Sequence, residues 1–421
     1  MNPDADLFRR ESARLVASLT RVFGAGNLAL VEDVVQETLA RAFAVWSHEG
    51  VPDHYAPLLM TAAKNRAIDA FRRERSARRL APEVTHFVES ERAGADEVEE
   101  LFLPDALRDD ELRMMFSCCH PRLDEDVQIA LILNILCGFG VGEVASAFLL
   151  TEAAAKKRLT RGKKVLAESK RLFELTAEDF ALRLAAVHEA IYLLFSEGYH
   201  GASDEALVRI DLCREAMRLV HLLVGHPPSA TPATHALAAL MCLHAARLPG
   251  RVDDGGKLRA LIDQDRSRWD AKLITEGLML LERSAVGTEL TIYHLEAAIS
   301  ARHAAAGSVE DTPWGEIVEL YGALLKLHPS PIIALNRAMA VAQHEGPARG
   351  LEEIHRIHDT ERFARYPFYA ASLGELERRL GRLEAAATHF KTALALARND
   401  GERRFLEQRL AECERKRERE A

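Results

Sequence analysis

The sequence predicts an all-α protein. Three observations support this prediction: aromatic residues make up only 6% of the chain, apolar residues recur at three- and four-residue spacing, and the strict alternation typical of strands is hard to find. With 421 residues, the chain is long enough for about two to four domains, each with its own core. We therefore expect several helical domains in series.

The first block, residues 1–80, combines helical periodicity with one interruption. Residues 47–57 contain Gly50, Pro52 and Pro57, and we expect this segment to form a loop. A long helix is predicted from Leu58 to Arg79. Its buried side is assigned to Ala62, Ala63, Ile68 and Phe71.

Charge is distributed unevenly along the chain, although the formal net charge is only −9. Residues 58–80 carry seven basic residues against two acids, whereas residues 81–111 carry eleven acids against Arg92 and Arg108. Residues 81–105 have few large apolar side chains, so we expect an acidic linker without a core of its own. A cationic segment next to an acidic one indicates a localised binding surface for an anionic partner.

Residues 141–164 are typical of a helix-turn-helix. A short helix is expected to contain Val144 and Phe148, and a turn at residues 149–151 places Thr151 at the N-cap of the second helix. The second helix is predicted to bury Ala155, Leu159 and Val165 and to present its cations outward, as a DNA-reading helix does. The alternative is an ordinary amphipathic helix with a solvated basic face.

The C-terminal part shows a weak internal repeat. Two predicted helices end at Gly346 and Gly381, which are 35 residues apart (381 − 346), and each is followed by a second helix over 351–358 or 383–397. This period is close to that of tetratricopeptide hairpins. Stacked helical hairpins are therefore expected over 311–421, preceded by a helical segment over 173–310.

Enzyme and metal chemistry find little support in the sequence. Six scattered cysteines form no CxxC pair, and Cys118-Cys119-His120 lacks a second ligand pair, so buried thiols are favoured over a metal site. Glu197 and His200 could form an acid/base pair, but a buried salt-bridge network accounts better for the polar residues there. It would join Arg209 or Arg214 to Glu197 or Asp211. We expect no catalytic activity, no metal, no cofactor and no membrane span, and a cytoplasmic location.

A family resemblance follows from two motifs. Val31–Phe43 together with Asn65–Arg73 resembles region 2 of bacterial RNA polymerase sigma factors of the extracytoplasmic-function class, and the helix-turn-helix resembles region 4. The resemblance covers 8–172. It implies region 2 over 1–80, the acidic linker over 81–105 and region 4 over 106–172. Ile191–Gly201 with Asp211–Leu219 resembles the extension of a subgroup that ends in tetratricopeptide-like helices.

The resemblance also implies roles for particular residues. Asp33 and Glu37 match positions that contact the β′ clamp helices of core RNA polymerase, and region 4 also meets the β flap. The residues implied to recognise and melt the −10 element are Tyr55, Lys64, Asn65, Arg72 and Arg73. Those implied to address the −35 element are Lys156, Lys157, Thr160, Arg161 and Lys164. Lys163 is expected to contact phosphate beside Lys164.

Two points stay open at this stage. The family commonly has tryptophan at the start of the melting helix where this chain has Leu58, so either Tyr55 or Trp46 could stack at the melted duplex edge. The acidic linker could lie in the RNA channel of polymerase or could be a solvated tether.

The predicted function is promoter-specific transcription initiation with core RNA polymerase and promoter DNA as partners. The extension would regulate activity in cis and could take a protein or small ligand. The alternatives are a helix-turn-helix regulator with a helical-repeat sensor, and a scaffold protein that binds neither polymerase nor DNA.

Overall fold

A computed structural model describes residues 5–77, 104–148, 150–169, 172–200, 208–251, 259–358, 363 and 366–420 of the chain. These residues form helices and connecting turns, and none of them lies in a β-strand, which confirms the all-α prediction. Most of the predicted acidic linker (81–103) lies outside the described residues. The chain divides into an N-terminal unit, Met1–Phe195 with Arg214–Ala230, and a C-terminal unit, Ser196–Cys213 with Thr231–Ala421.

Nine helices cover the described residues up to Val224. They are α1 Ala5–Phe23, α2 Leu28–Glu49, α3 Tyr55–Ala77, α4 Pro104–Cys118, α5 Glu125–Leu131, α6 Val141–Ala147, α7 Glu152–Ala167, α8 Ala177–His200 and α9 Ile210–Val224. A π-helical turn, Ile132–Leu136, follows α5. The core of α1–α3 includes Leu19, Phe23 and Phe71, and the rings of Phe23 and Phe71 stack with centroids 4.4 Å apart.

The loop before α3 is shorter than predicted. α2 extends to Glu49, Gly50 adopts a φ of 87°, and α3 already begins at Tyr55. Pro57 therefore lies in the first turn of α3, where proline is tolerated because the missing N–H has no intrahelical acceptor there. Within α3, Ala63, Ile68 and Phe71 are buried as expected, but Ala62 is exposed.

Ten further helices form most of the C-terminal unit. They are α10 Pro232–Ala245, α11 Leu248–Arg251, α12 Ala271–Ser284, α13 Ile292–Ala305, α14 Trp314–Leu327, α15 Pro331–His344, α16 Pro347–His355, α17 Pro367–Arg379, α18 Leu383–Ala395 and α19 Asp400–Glu420. The helix α10 is buried along nearly its whole length, from Ala233 to Ala245. It packs against α12 and α13 at the centre of this unit.

The predicted helical hairpins are present. α15 packs on α16 and α17 on α18, and the glycines between the paired helices, Gly346 and Gly381, have φ values of 100° and 77°. Positive φ suits glycine because it has no Cβ to clash with the backbone. None of the described helices is long and apolar enough to cross a membrane. All six cysteines are buried and unpaired with one another.

Candidate nucleic-acid interface

The helix-turn-helix forms as the sequence predicts, with α6 and α7 joined by residues 148–151; residue 149 lies outside the described part. The Thr151 hydroxyl accepts a hydrogen bond from the Ala154 amide at 3.3 Å, and it therefore caps α7. Ala155 and Leu159 are buried as expected. Val165 is only half-buried, because Leu166 continues the 3.6-residue repeat of the apolar stripe and takes its place in the core.

A glycine allows α7 to approach α5 closely. A Cβ at Gly162 would lie 2.8 Å from Cγ1 of Val127 and 2.9 Å from Cδ1 of Leu131, closer than packed carbon atoms come. Gly162 lies on the buried face of α7, opposite the cations. The close contact sets the distance between α7 and α5. It thereby fixes the position of the exposed face of α7.

The outer face of α7 carries the five residues that the sequence assigns to the −35 element. All five are exposed: Lys156, Lys157, Thr160, Arg161 and Lys164. The Thr160 hydroxyl donates to the Lys156 carbonyl at 2.8 Å, and Arg161 lies 3.4 Å from Asp124 in an exposed ion pair. Exposed pairs contribute little and exchange readily with water, so this pair leaves Arg161 available to phosphate.

Lys163 does not point to the same side as its neighbours. Its ammonium group contacts both carboxylate oxygens of Glu32, at 2.7 and 2.9 Å, and both side chains are about three-quarters buried. In this structure Lys163 is therefore engaged in an ion pair with α2, and its contact with phosphate stays a prediction. Sequence reasoning could not find this pair, because its partners are 131 residues apart.

The residues assigned to core polymerase lie on the exposed side of α2. Asp33 and Glu37 are both exposed, one helical turn apart. Glu37 lies 3.2 Å from Arg41 and 3.4 Å from Arg66. The carboxylate of Glu37 is thus held near α3, while Asp33 faces solvent next to Glu32.

The residues assigned to the −10 element lie mostly on the solvent side of α3. Asn65, Arg72 and Arg73 are exposed and Lys64 is half-buried. The Arg73 side chain donates to the Asp69 carbonyl oxygen at 3.3 Å, so in this conformation it contacts the backbone of Asp69. The arrangement offers cations and one amide along a single helix, as contacts with a nucleic-acid strand require.

The aromatic residues near this surface differ in their accessibility. Trp46 is buried, with its ring centroid 5.8 Å from that of Phe8 and 6.4 Å from that of Tyr55. Tyr55 is half-buried, and its hydroxyl accepts a hydrogen bond from Arg10 at 2.7 Å. Leu58, where the resemblance leads one to expect tryptophan, is 54% exposed. Of the two aromatic candidates, only Tyr55 has an exposed surface of any size.

The helices α1–α3 and α4–α7 pack against each other within the N-terminal unit. Asp110 on α4 is buried against α1, where it accepts hydrogen bonds from Ser18 at 3.1 Å and Arg21 at 2.5 Å. Burial raises the pKa of Asp110 above its ordinary value, although Arg21 and Ser18 act in the opposite direction. A second ion pair joins Arg9 to Glu143 at 3.3 Å.

The helices that follow region 4 are part of the same packed unit. The Phe180 ring on α8 meets Phe116 on α4 edge to face, with centroids 4.7 Å apart. Arg218 on α9 contacts both Glu215 and Glu111, and the carboxylate of Glu111 is fully buried. Burial by itself would lower the pKa of Arg218, but the two carboxylates raise it above its ordinary value. Both α8 and α9 therefore pack against α4 and hold it in place.

The predicted polar network around residues 197–215 is present in part. Arg209 lies 3.3 Å from Asp211, as the salt-bridge interpretation expects. Residues 201–207 and the His200 side chain lie outside the described part of the chain. The Glu197–His200 acid/base alternative therefore falls on residues that are not described.

Comparisons with known proteins fit this architecture. A family model for sigma-70 region 2 matches residues 7–77, and a model described as sigma-70, region 4 matches residues 113–166. These two matches fall on α1–α3 and on α4–α7, in the order of the chain.

The chain therefore contains the region 2 and region 4 domains of the sigma-70 family, which support a sigma factor. Sigma factors are transcription initiation factors, and they are not enzymes themselves. An uncharacterised protein of Rhizobium meliloti (strain 1021) is 39% identical to this chain over 387 residues, which covers 91% of this chain and 90% of that protein. Residues 183–285 match a family of unknown function. No solved structure matches the chain significantly.

Proposed function

We propose that this sigma-70 chain directs promoter-specific initiation as a member of the extracytoplasmic-function class. In this proposal Asp33 and Glu37 contact core polymerase, the exposed side of α3 engages the −10 element, and α7 reads the −35 element. The observation that carries the proposal is the exposed face of α7, since its five polar side chains stand on a helix-turn-helix that follows a region 2 domain.

The packed N-terminal unit is proposed to be a resting state. Its 212 residues (195 + 17) correspond to a radius of gyration of about 17 Å for a compact domain. The −10 and −35 elements are about 25 base pairs apart, or roughly 85 Å along B-form DNA at 3.4 Å per base pair. A unit of this size does not reach both elements. Regions 2 and 4 must therefore separate before both can be read.

The proposed role of the extension is to set the balance between the packed and the separated state. α8 and α9 hold α4 through Phe180 and Arg218, and α4 is the helix that contacts α1 through Asp110. A change in the extension that shifts α9 would thus act on the contact between the two regions. Assignment of residues 311–421 to tetratricopeptide-like repeats belongs to the same proposal.

Run-off transcription with purified core polymerase tests the proposal. The template would be a set of genomic fragments from the organism that encodes the chain. We expect discrete transcripts that require the protein, and Lys157→Ala should reduce them while binding to core polymerase persists. Lys272→Ala, an exposed lysine on α12, is the matched control.

The outcomes separate the alternatives. A footprint on duplex DNA without any transcript would point to a helix-turn-helix regulator that acts without polymerase. Binding to neither polymerase nor DNA would point to a scaffold. Loss of polymerase binding in Lys157→Ala would contradict the assignment of α7 to DNA.

A truncation tests the regulatory role, and the position of the cut matters. Ending the chain after residue 172 removes Arg218 from the buried Glu111 and Phe180 from Phe116, so loss of activity there does not distinguish lost regulation from lost stability. Ending it after Ala230 keeps the residues of the N-terminal unit. Regulation in cis predicts altered transcription from this shorter chain, and unchanged transcription contradicts it.

A further inference from the structure

The C-terminal unit encloses a cavity of about 430 Å³ that plays no part in the promoter-reading surfaces. Helices α11, α13, α14, α15, α17, α18 and α19 contribute to its walls. This volume is within the range of small-molecule sites, which are typically clefts of about 300–1,000 Å³. The cavity is largely apolar and rich in aromatic rings, namely Trp314, Tyr321, Tyr366, Phe368 and Phe405.

Positive charge is concentrated on one part of the lining. Arg247 and Arg251 both line the cavity, and neither forms an ion pair with an acid among the described residues. The Arg247 guanidinium lies 5.6 Å from the Trp269 ring and that of Arg251 lies 4.0 Å from the Tyr199 ring. Rings hold these guanidinium groups in place but do not neutralise their charge.

Arg409 shows the contrasting case on the same lining. It contacts Asp263, and it lies 3.3 Å from Glu412. Glu375, the acidic side chain of the lining, is itself occupied by Arg378 at 2.6 Å. The cavity therefore keeps positive charge at Arg247 and Arg251, whereas Arg409 and Glu375 each have a partner of opposite charge.

Buried polar atoms without partners are found on the same lining. Within the described part of the chain, no hydrogen-bond partner reaches Nε of Arg247, Nε of Arg251, Oε1 of Gln264 or Nδ1 of His303. Buried polar groups in folded proteins are almost always satisfied, so these four atoms mark side chains of the lining whose hydrogen-bonding capacity the described chain does not use. Burial, helped by Arg247 and Arg266, lowers the pKa of His303 to about 3, so its ring is neutral.

We infer that this cavity binds a small organic anion. Its acidic group, a carboxylate or a phosphate, contacts Arg247 and Arg251, because these guanidinium groups match the geometry of such acids. Its apolar body packs against Trp314, Tyr321 and Phe405. Gln264 and the neutral His303 supply hydrogen bonds that orient it. This inference is independent of promoter recognition and stands or falls on binding alone.

Two fluorescent probes that share a ring system test the inference on the full-length protein. Anilinonaphthalenesulfonate (ANS) carries an acidic group, and N-phenylnaphthylamine (NPN) is the same scaffold without it. We expect saturable binding of one ANS per chain and at least about tenfold weaker binding of NPN, since charge-assisted hydrogen bonds are among the strongest. Equal affinity for the two probes would overturn the inference, as would the absence of saturable ANS binding.

Variants locate the site. Arg251→Gln should weaken ANS binding about tenfold or more, whereas Arg251→Lys, which keeps the charge, should weaken it less. Arg283→Gln, an exposed arginine on α12, is the control and should bind like the parent protein. Each variant is first checked for an unchanged thermal transition by circular dichroism. ANS affinity that is the same in a folded Arg251→Gln and in the control would contradict the inference.

Competition identifies the acidic group. Benzoate and inorganic phosphate are titrated against bound ANS. Displacement by benzoate alone supports a carboxylate ligand, and displacement by phosphate alone supports a phosphate ligand. Displacement by neither overturns the inference.

Discussion

Two buried acids of the N-terminal unit and two arginines of the C-terminal unit are partnered in contrasting ways. In the N-terminal unit the buried acids Asp110 and Glu111 each meet an arginine supplied by another helix, Arg21 or Arg218. In the C-terminal unit Arg247 and Arg251 meet aromatic rings, and no acid among the described residues pairs with them. Internally paired charges hold segments of the chain together. Cations at a cavity that have no acidic partner among the described residues are available to bind an anionic ligand.

The comparison separates structural ion pairs from binding residues. A buried charge that loses its partner costs far more than an exposed one, so the paired residues of the N-terminal unit should be sensitive to single substitutions. The arginines of the cavity should respond to ligands instead. Three stability experiments follow from this contrast, each with its own control.

The largest effect is expected at Arg218. Arg218→Ala leaves Glu111, which is fully buried, without its main partner, and should lower the free energy of unfolding by about 3–5 kcal/mol. Arg302→Ala breaks an exposed pair with Glu316 and should cost no more than about 1 kcal/mol. Urea denaturation followed by circular dichroism measures both. Combining Arg218→Met with Glu111→Leu should recover much of the loss, and a single-variant cost as small as that of the control would contradict this account of the pair.

A smaller effect is expected on acidification, because each unit buries a neutral histidine. Burial lowers the pKa of His188 to about 4 and that of His303 to about 3. Unfolded histidine takes up a proton near pH 6.5, so the unfolded state binds more protons and stability falls as the pH drops below that value. Between pH 6.5 and 5 the loss should be about 2 kcal/mol for each histidine.

Hydrogen exchange read by mass spectrometry can follow the two units separately. His188→Gln should flatten the pH dependence in peptides of the N-terminal unit, and His303→Gln should do so in peptides of the C-terminal unit. The exposed His355→Gln is the control. Identical pH profiles for all three variants would show that these buried rings do not govern the acid response.

The smallest effect is expected at the contact between α2 and α7. Glu32→Gln removes the charge that faces Lys163 but leaves α7 unaltered, and should cost about 1 kcal/mol or less, because the pair is partly solvated. The same substitution should shift the equilibrium between the packed and the separated state toward separation. The equilibrium constant should change by up to about fivefold. Arg122→Ala, which breaks an exposed pair with Glu168 inside region 4, is the control. If the separated state is no more populated in Glu32→Gln than in Arg122→Ala, Glu32 has no role in holding the two regions together.

Much of this architecture could be predicted from local sequence patterns. The helix-turn-helix, the Thr151 cap and the exposed cations of α7 all follow from spacing over fewer than 25 residues. The sequence predicts that α3 starts at Leu58, whereas it starts at Tyr55. The prediction is wrong because a proline such as Pro57 is compatible both with a loop and with the first turn of a helix. The roles assigned to Asp33, Lys64 and Lys157 toward polymerase and DNA stay predictions.

Long-range pairs could not be predicted from one sequence. The partners Lys163 and Glu32, Arg21 and Asp110, and Arg218 and Glu111 are separated by 89 to 131 residues, and each looks like an ordinary solvated charge on an amphipathic helix. The cavity could not be predicted either, because its lining comes from seven helices that only the folded unit brings together. Tertiary packing decides which charges are paired and which are not.

The central claim, that regions 2 and 4 are packed together at rest and separate on the promoter, can be measured as a distance. Spin labels at Val45→Cys on α2 and Glu125→Cys on α5 are both exposed, whereas all native cysteines are buried. Double electron–electron resonance should give one short distance for the protein alone. In the complex with core polymerase and promoter DNA the distance should grow by several tens of Å, because the two elements are roughly 85 Å apart. The same short distance in a complex that initiates transcription would contradict the claim.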